Sequence, residues 1–82
     1  MSALTHEFST RVIAARTATG LSQREFAKRY RIPLGTLRGW EQSRRRTPDA
    51  AALVFIVLVG LEPELTARII DEAYGEEVIH NE

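Results

Sequence analysis

Arg38, Arg44, Arg45 and Arg46 are the residues of this chain best equipped for chemistry, and the chemistry they suit is the gripping of a polyanion. A guanidinium is a planar fork of donors. It can hold a phosphate, or the O6 and N7 acceptors of a guanine edge, through two parallel hydrogen bonds. The net charge of zero hides how the cations are distributed. Residues 1–46 carry ten Lys and Arg against three acids, Glu7, Glu25 and Glu41, a balance of +7. Residues 47–82 carry one cation, Arg68, against eight acids, a balance of −7. Such a split implies two surfaces with two jobs: a basic one that can meet a polyanion, and an acidic one that must face away from it.

Catalysis finds no comparable grouping. His6 and His80 stand near opposite ends of the chain, without metal-ligand spacing. No glycine-rich loop leads into a Lys-Ser or Lys-Thr pair. Glu64 and Arg68 form an i, i+4 pair suited to a solvated helix face, and Asp71-Glu72 and Glu76-Glu77 are chain neighbours that diverge on a helix. The expectation is a non-enzyme with no cofactor and no metal. With no cysteine there is no disulfide, which fits a reducing cytosol. The longest apolar run, Ala50 to Leu61, falls short of the roughly 20 residues that span a bilayer. No N-terminal stretch has the pattern of a signal peptide. A cytoplasmic protein without a membrane partner is expected.

The arginines need helices to hold them. Leu21 to Glu41 predicts two short ones across a tight turn. Ser22 and Glu25 make a capping box, in which each side chain satisfies the other's backbone amide. The helix it starts runs from Gln23 to Tyr30, with Phe26, Ala27 and Tyr30 as its apolar stripe. Arg31-Ile32 forms the turn. Pro33 suits the first turn of the next helix, where its missing N–H costs nothing. There Leu34, Leu37 and Trp40 fall on one side. Before this pair, a helix capped by Ser2 or Thr5 runs to about Thr19. It buries Phe8, Val12 and Ala15 with Leu4 and Ile13 beside them, and Gly20 stops it in a left-handed conformation.

Thr47-Pro48-Asp49 reads as N-cap, first-turn proline and favourable acid for a fourth helix, Asp49 to about Val59. From Ala50 to Val59 that helix has no polar side chain, so it must be buried all round. One face covers the first three helices. The other is covered either by a fifth helix, Pro63 to Tyr74, or by another chain, which is the favoured reading. Gly60 and Gly75 are read as stops, with an acidic tail over 75–82. A chain of 82 residues has a marginal core, so dimerisation is expected. The seam is assigned to Val54, Leu58, Leu61, Leu65, Ile69 and Ile70. The fold class is thus all-α, one domain over 1–82, with a two-helix core at about 21–41 and dimerisation helices at about 49–74.

Leu21-Ser22-Gln23, Phe26-Ala27, Thr36-Leu37, Trp40-Glu41-Gln42, Arg44-Arg45 and Pro48 together resemble the phage-repressor-type (Xre) helix-turn-helix family. The similarity covers roughly residues 8–60 and implies a five-helix, lambda-repressor-like fold. Within that family the chain most resembles the HigA/MqsA-type antitoxins of bacterial type II toxin–antitoxin operons. The resemblance implies that Arg16 and Glu41 form a structural salt bridge and that Ala27 lets the two short helices approach closely. It implies a phosphate contact for Gln23 at the positive end of its helix. It places Leu34, Gly35, Arg38 and Gly39 at a DNA groove, Thr36 near the DNA backbone, Pro33 among the DNA-binding residues, and Arg44, Arg45 and Arg46 along the phosphates.

Arg38 is the strongest candidate for base reading, with a phosphate contact or a solvated charge as the alternatives. Leu34 either touches a thymine methyl or packs against Leu37. Gly35 and Gly39 depart from the family, because they fall where relatives place base-reading side chains. Arg31 departs too, standing where the turn often has Gly, and is strained if its φ is positive.

The function implied is a homodimeric, sequence-specific regulator bound to a palindromic operator in double-stranded DNA. It would repress its own toxin–antitoxin promoter, with a cognate toxin as a further partner. The alternatives are a protein-binding inhibitor of that toxin with DNA binding secondary, and a stand-alone phage-type repressor.

Overall fold

A computed structural model describes the backbone over residues 3–42 and 49–80, and side chains over 7–42 and 49–75. These residues form five helices and no strand: α1 (Ala3–Thr19), α2 (Gln23–Arg29), α3 (Leu34–Glu41), α4 (Ala50–Leu61) and α5 (Pro63–His80). Ser2, Arg44, Arg45, Arg46, Thr47 and Pro48 lie outside the described residues.

α1 carries Phe8, Val12 and Ala15 into the core, while Ile13, expected beside them, faces solvent. Thr5 lies inside α1 and does not cap it. Gly20 ends this helix at φ +76°, a conformation with no Cβ penalty for glycine. The capping box then opens α2. Glu25 N donates to Ser22 Oγ at 3.1 Å and Ser22 N to Glu25 Oε1 at 2.9 Å. The Ser22 N–H that donates to the carboxylate, aided by the Ser22 hydroxyl, favours the ionised form and holds the Glu25 carboxyl below its usual value.

α2 stops one residue earlier than its apolar stripe, at Arg29, with Tyr30 as C-cap. Arg31 follows at φ +58° and Ile32 N reaches back to Ala27 O at 2.9 Å. This is the Schellman arrangement, with an arginine where glycine is usual. The turn therefore does require a left-handed residue, and Arg31 accepts the strain. Its guanidinium carbon sits 4.4 Å from the centre of the Tyr74 ring, a cation–π contact that supports the strained residue from α5.

Pro33 is the N-cap of α3 and not its first helical residue. Leu37 is fully buried. Trp40 is half-buried and meets Phe8 edge-on, with ring centroids 5.3 Å apart. Asp49 caps the described start of α4, accepting from Ala52 N at 2.7 Å. Gly60 does not end α4, which runs on to Leu61. The stop is Glu62, at φ −136° and ψ 69°, because a residue before proline is pushed out of the helical region. Gly75 does not end α5 either. It lacks the positive φ that would make it a stop, and the helix continues to His80, so the segment read as a loose acidic tail begins as helix.

Phe8, Val12, Phe26, Tyr30, Leu37, Ile56, Val59 and Ala67 form the heart of one core contributed by all five helices. α1 packs along α4 and α3, α2 on α3, and α4 on α5. At the α4–α5 corner Tyr30 Oη donates to Pro63 O at 3.0 Å, and Thr66 Oγ1 donates to Leu58 O at 3.2 Å. Among the described residues no buried side-chain polar atom lacks a partner. No single helix among them is long and apolar enough to cross a membrane.

Candidate nucleic-acid interface

Arg16 and Glu41 meet across α1 and α3. Arg16 Nε donates to Glu41 Oε2 at 2.7 Å and Nη2 to Oε1 at 3.1 Å, a two-point fork. The Glu41 side chain is 6% exposed and that of Arg16 19%. Burial raises the Glu41 carboxyl, but hydrogen bonds from Arg16 and Gln23 and the Arg16 charge outweigh it and leave the group below its ordinary value. The bond to Glu41 raises Arg16 in turn. Arg16 Nη1 also donates to Leu21 O at 3.2 Å, which ties the entry of α2 to the pair. Ser9 Oγ donates to Glu41 O at 2.9 Å, so α1 holds the carboxyl end of α3 by side chain and by backbone.

Gln23 Nε2 donates to Glu41 Oε1 at 3.0 Å, and Arg38 Nε donates to Gln23 Oε1 at 3.4 Å. The contacts Arg16–Glu41–Gln23–Arg38 thus run from the half-buried ion pair to the surface. Periodicity did not find the Gln23 links. They join residues 18 and 15 positions apart, and no local pattern signals them.

Gly35, Thr36 and Arg38 are exposed on α3, and Gly39 is half-exposed. A Cβ added at Gly35 would meet open space, so nothing in the chain itself demands glycine there. Leu34 is half-buried and packs against the core, the second of its two readings. Pro33 and Thr36 border a shallow groove with Trp40, Phe55, Ile70 and Tyr74, on the side of α3 that faces α5. The structure brings Gln23 and Arg38 together and places Pro33 and Thr36 on this groove. Arg44, Arg45 and Arg46 fall in the undescribed segment.

Arg11, Arg24, Lys28, Arg29 and Arg31 are exposed cations. A cation of the basic half meets an acid of the acidic half where Arg29 Nη1 lies 4.0 Å from Asp71 Oδ2, with both side chains largely solvated. Of the seam residues, Val54, Leu58, Leu61, Leu65 and Ile69 are exposed, Leu61 at 72%, whereas Ile70 is half-buried on the core. Its spacing explains this, since Ile70 lies one turn beyond the buried Thr66 and Ala67. α5 therefore leaves much of the outer face of α4 uncovered. No group of three or more possible metal ligands occurs among the described residues. No protein-family model, curated protein or solved structure matches this chain.

Proposed function

We propose that this chain is a sequence-specific DNA-binding transcriptional regulator with a phage-repressor-type helix-turn-helix. In this reading it works as a homodimer that represses its own promoter, and it is the antitoxin of a type II toxin–antitoxin operon. The observation that carries the reading is the presentation of α3. Its inner side is anchored by Leu37, Trp40 and the Arg16–Glu41 fork, while Arg38 stands exposed on its outer side. A helix so held can enter a major groove without tilting, and Arg38 can then grip a guanine edge. Gln23, Arg44, Arg45 and Arg46 contact phosphates, which supplies affinity and salt dependence.

One such unit reads few base pairs, and a two-fold pair reads two half-sites about one helical turn apart. Support for a pair comes from Val54, Leu58, Leu61, Leu65 and Ile69, large apolar side chains that the chain's own fold leaves in water. A dimer seated on a palindromic operator excludes polymerase. The antitoxin assignment rests on the resemblance of residues 21–48 and of the two helices that follow them. A second reading, a protein-binding inhibitor of a toxin, draws on the same exposed apolar residues, with the toxin in place of the twin.

The test is selection from a randomised duplex library with the purified full chain. A palindromic motif, bound with strong salt dependence, is expected. Enrichment of no sequence above background overturns the proposal. Arg38→Ala should lose roughly 1–3 kcal/mol on the selected site and relax preference at one base pair.

A further inference from the structure

Gln23 stands between the half-buried ion pair and the exposed Arg38, and its two contacts are not independent. Glu41 is an ionised carboxylate and can only accept hydrogen bonds. The Gln23 amide must therefore turn its nitrogen toward Glu41, at 3.0 Å, and so its oxygen the other way, toward Arg38 Nε at 3.4 Å. Glu41 cannot rotate to reverse this, because Arg16 holds both of its oxygens. The polarity of the whole series is set from the inside. A glutamine on a free surface would show an approaching arginine its oxygen or its nitrogen indifferently, whereas this one offers the oxygen.

We infer that Gln23 is a positioning residue for Arg38. It holds the Nε edge of the guanidinium and leaves Nη1 and Nη2 as the pair presented to a ligand. This rests on the proposal that Arg38 reads a base, and it adds a part in specificity to a residue otherwise assigned to phosphate. The ligand that fits an Nη1–Nη2 fork is a pair of adjacent acceptors, such as the O6 and N7 of guanine. An arginine surrenders rotamer freedom when it binds, and one already held surrenders less. Gln23 thereby favours the one pose that reads guanine over the many that meet a phosphate at random.

Two measurements on the full chain test this. The first needs no DNA. In the nitrogen-15 spectrum the Arg38 Nε–H signal should shift, and exchange faster with water, in Gln23→Ala. An unchanged signal overturns the link. The second uses the motif the wild type selects. Gln23→Ala should lower the preference for guanine at the Arg38 position by roughly threefold to tenfold. Its loss of affinity for random duplex, which comes from the phosphate contact, should be smaller than its loss on the motif, and on an Arg38→Ala background it should change preference no further. Equal loss on every sequence overturns the inference and leaves Gln23 a phosphate contact. If the Nε link is present but the wild type selects no motif, the DNA reading itself has failed. If a motif is selected without the link, only the positioning role has. Should Gln23→Ala unfold, Gln23→Met, of equal length and without amide groups, takes its place.

Discussion

Replacing Glu41 by glutamine keeps the shape of the side chain and removes its charge. Three donors converge on that carboxylate, Arg16 Nε at 2.7 Å, Arg16 Nη2 at 3.1 Å and Gln23 Nε2 at 3.0 Å. An amide has one oxygen to accept with and an NH2 that must face one of those donors. Charge-assisted bonds contribute about 1.5–3 kcal/mol each, and relief of the carboxylate's burial returns part of that. Breaking a fully buried pair costs about 3–5 kcal/mol. Here the Arg16 side chain keeps 19% exposure, so water partly compensates it. The net expectation is a loss of about 2 kcal/mol, against a total of about 4–12 kcal/mol for a domain of this size.

In urea the midpoint should fall by about 1–2 M. The pH dependence separates charge from packing. The folded-state Glu41 carboxyl lies below its ordinary value, so its stabilisation is fully present above the unfolded value of about 4.3. It is lost as pH falls through the folded value. The gap between wild type and Glu41→Gln should therefore be open at neutral pH and close in acid. Glu25 is depressed in both proteins and cancels from the difference. A midpoint shift below about 0.3 M, or a gap of constant size down to about pH 2, would refute the role given to the charge.

Tyr30→Phe removes the bond to Pro63 O and should cost about 0.5–1.5 kcal/mol in urea unfolding. Burial raises the Tyr30 phenol, so the wild type should lose stability as pH climbs above about 10, and the phenylalanine variant should lack that loss. Arg31→Gly relieves a left-handed residue but forfeits the contact with Tyr74, so it should stay within about 1 kcal/mol of wild type. Arg31→Val, β-branched at φ +58°, should cost about 1–3 kcal/mol, and equal melting curves for the two variants would contradict the turn geometry. Leu58→Glu changes an exposed side chain, so it should keep the helical circular dichroism while sedimentation shows monomer where the wild type shows dimer. A wild type that is itself monomeric would remove the seam.

The starts of helices were more legible in the chain than their ends. Ser22 and Glu25 announce α2 because both halves of that cap lie within four residues and need nothing from elsewhere. Gly20 was legible as well, since the chain turns left-handed there. Gly60 and Gly75 look the same in sequence and stop nothing, because glycine ends a helix only where the backbone actually turns left-handed, and that depends on what packs beside it. The real punctuation after α4 is Pro63 acting on Glu62. Arg31 shows the converse, a left-handed stop at a position the sequence marked for its missing glycine but whose φ it left open, steadied by a ring 43 positions away. The Gln23 contacts were illegible for a similar reason: the partners meet only after α1, α2 and α3 have packed.

Ser9 and Arg16 fasten the far end of α3 to α1, and α1 lies along α4. Those three helices form one packed frame, on which Arg38 and Val54 are both mounted. In a two-fold pair closed through Val54 and Leu58, the distance between the two Arg38 side chains would be set like the jaws of a locked caliper. Such a pair would tolerate a changed base far more readily than an inserted one, since a single extra base pair both lengthens the span and rotates one half-site out of reach.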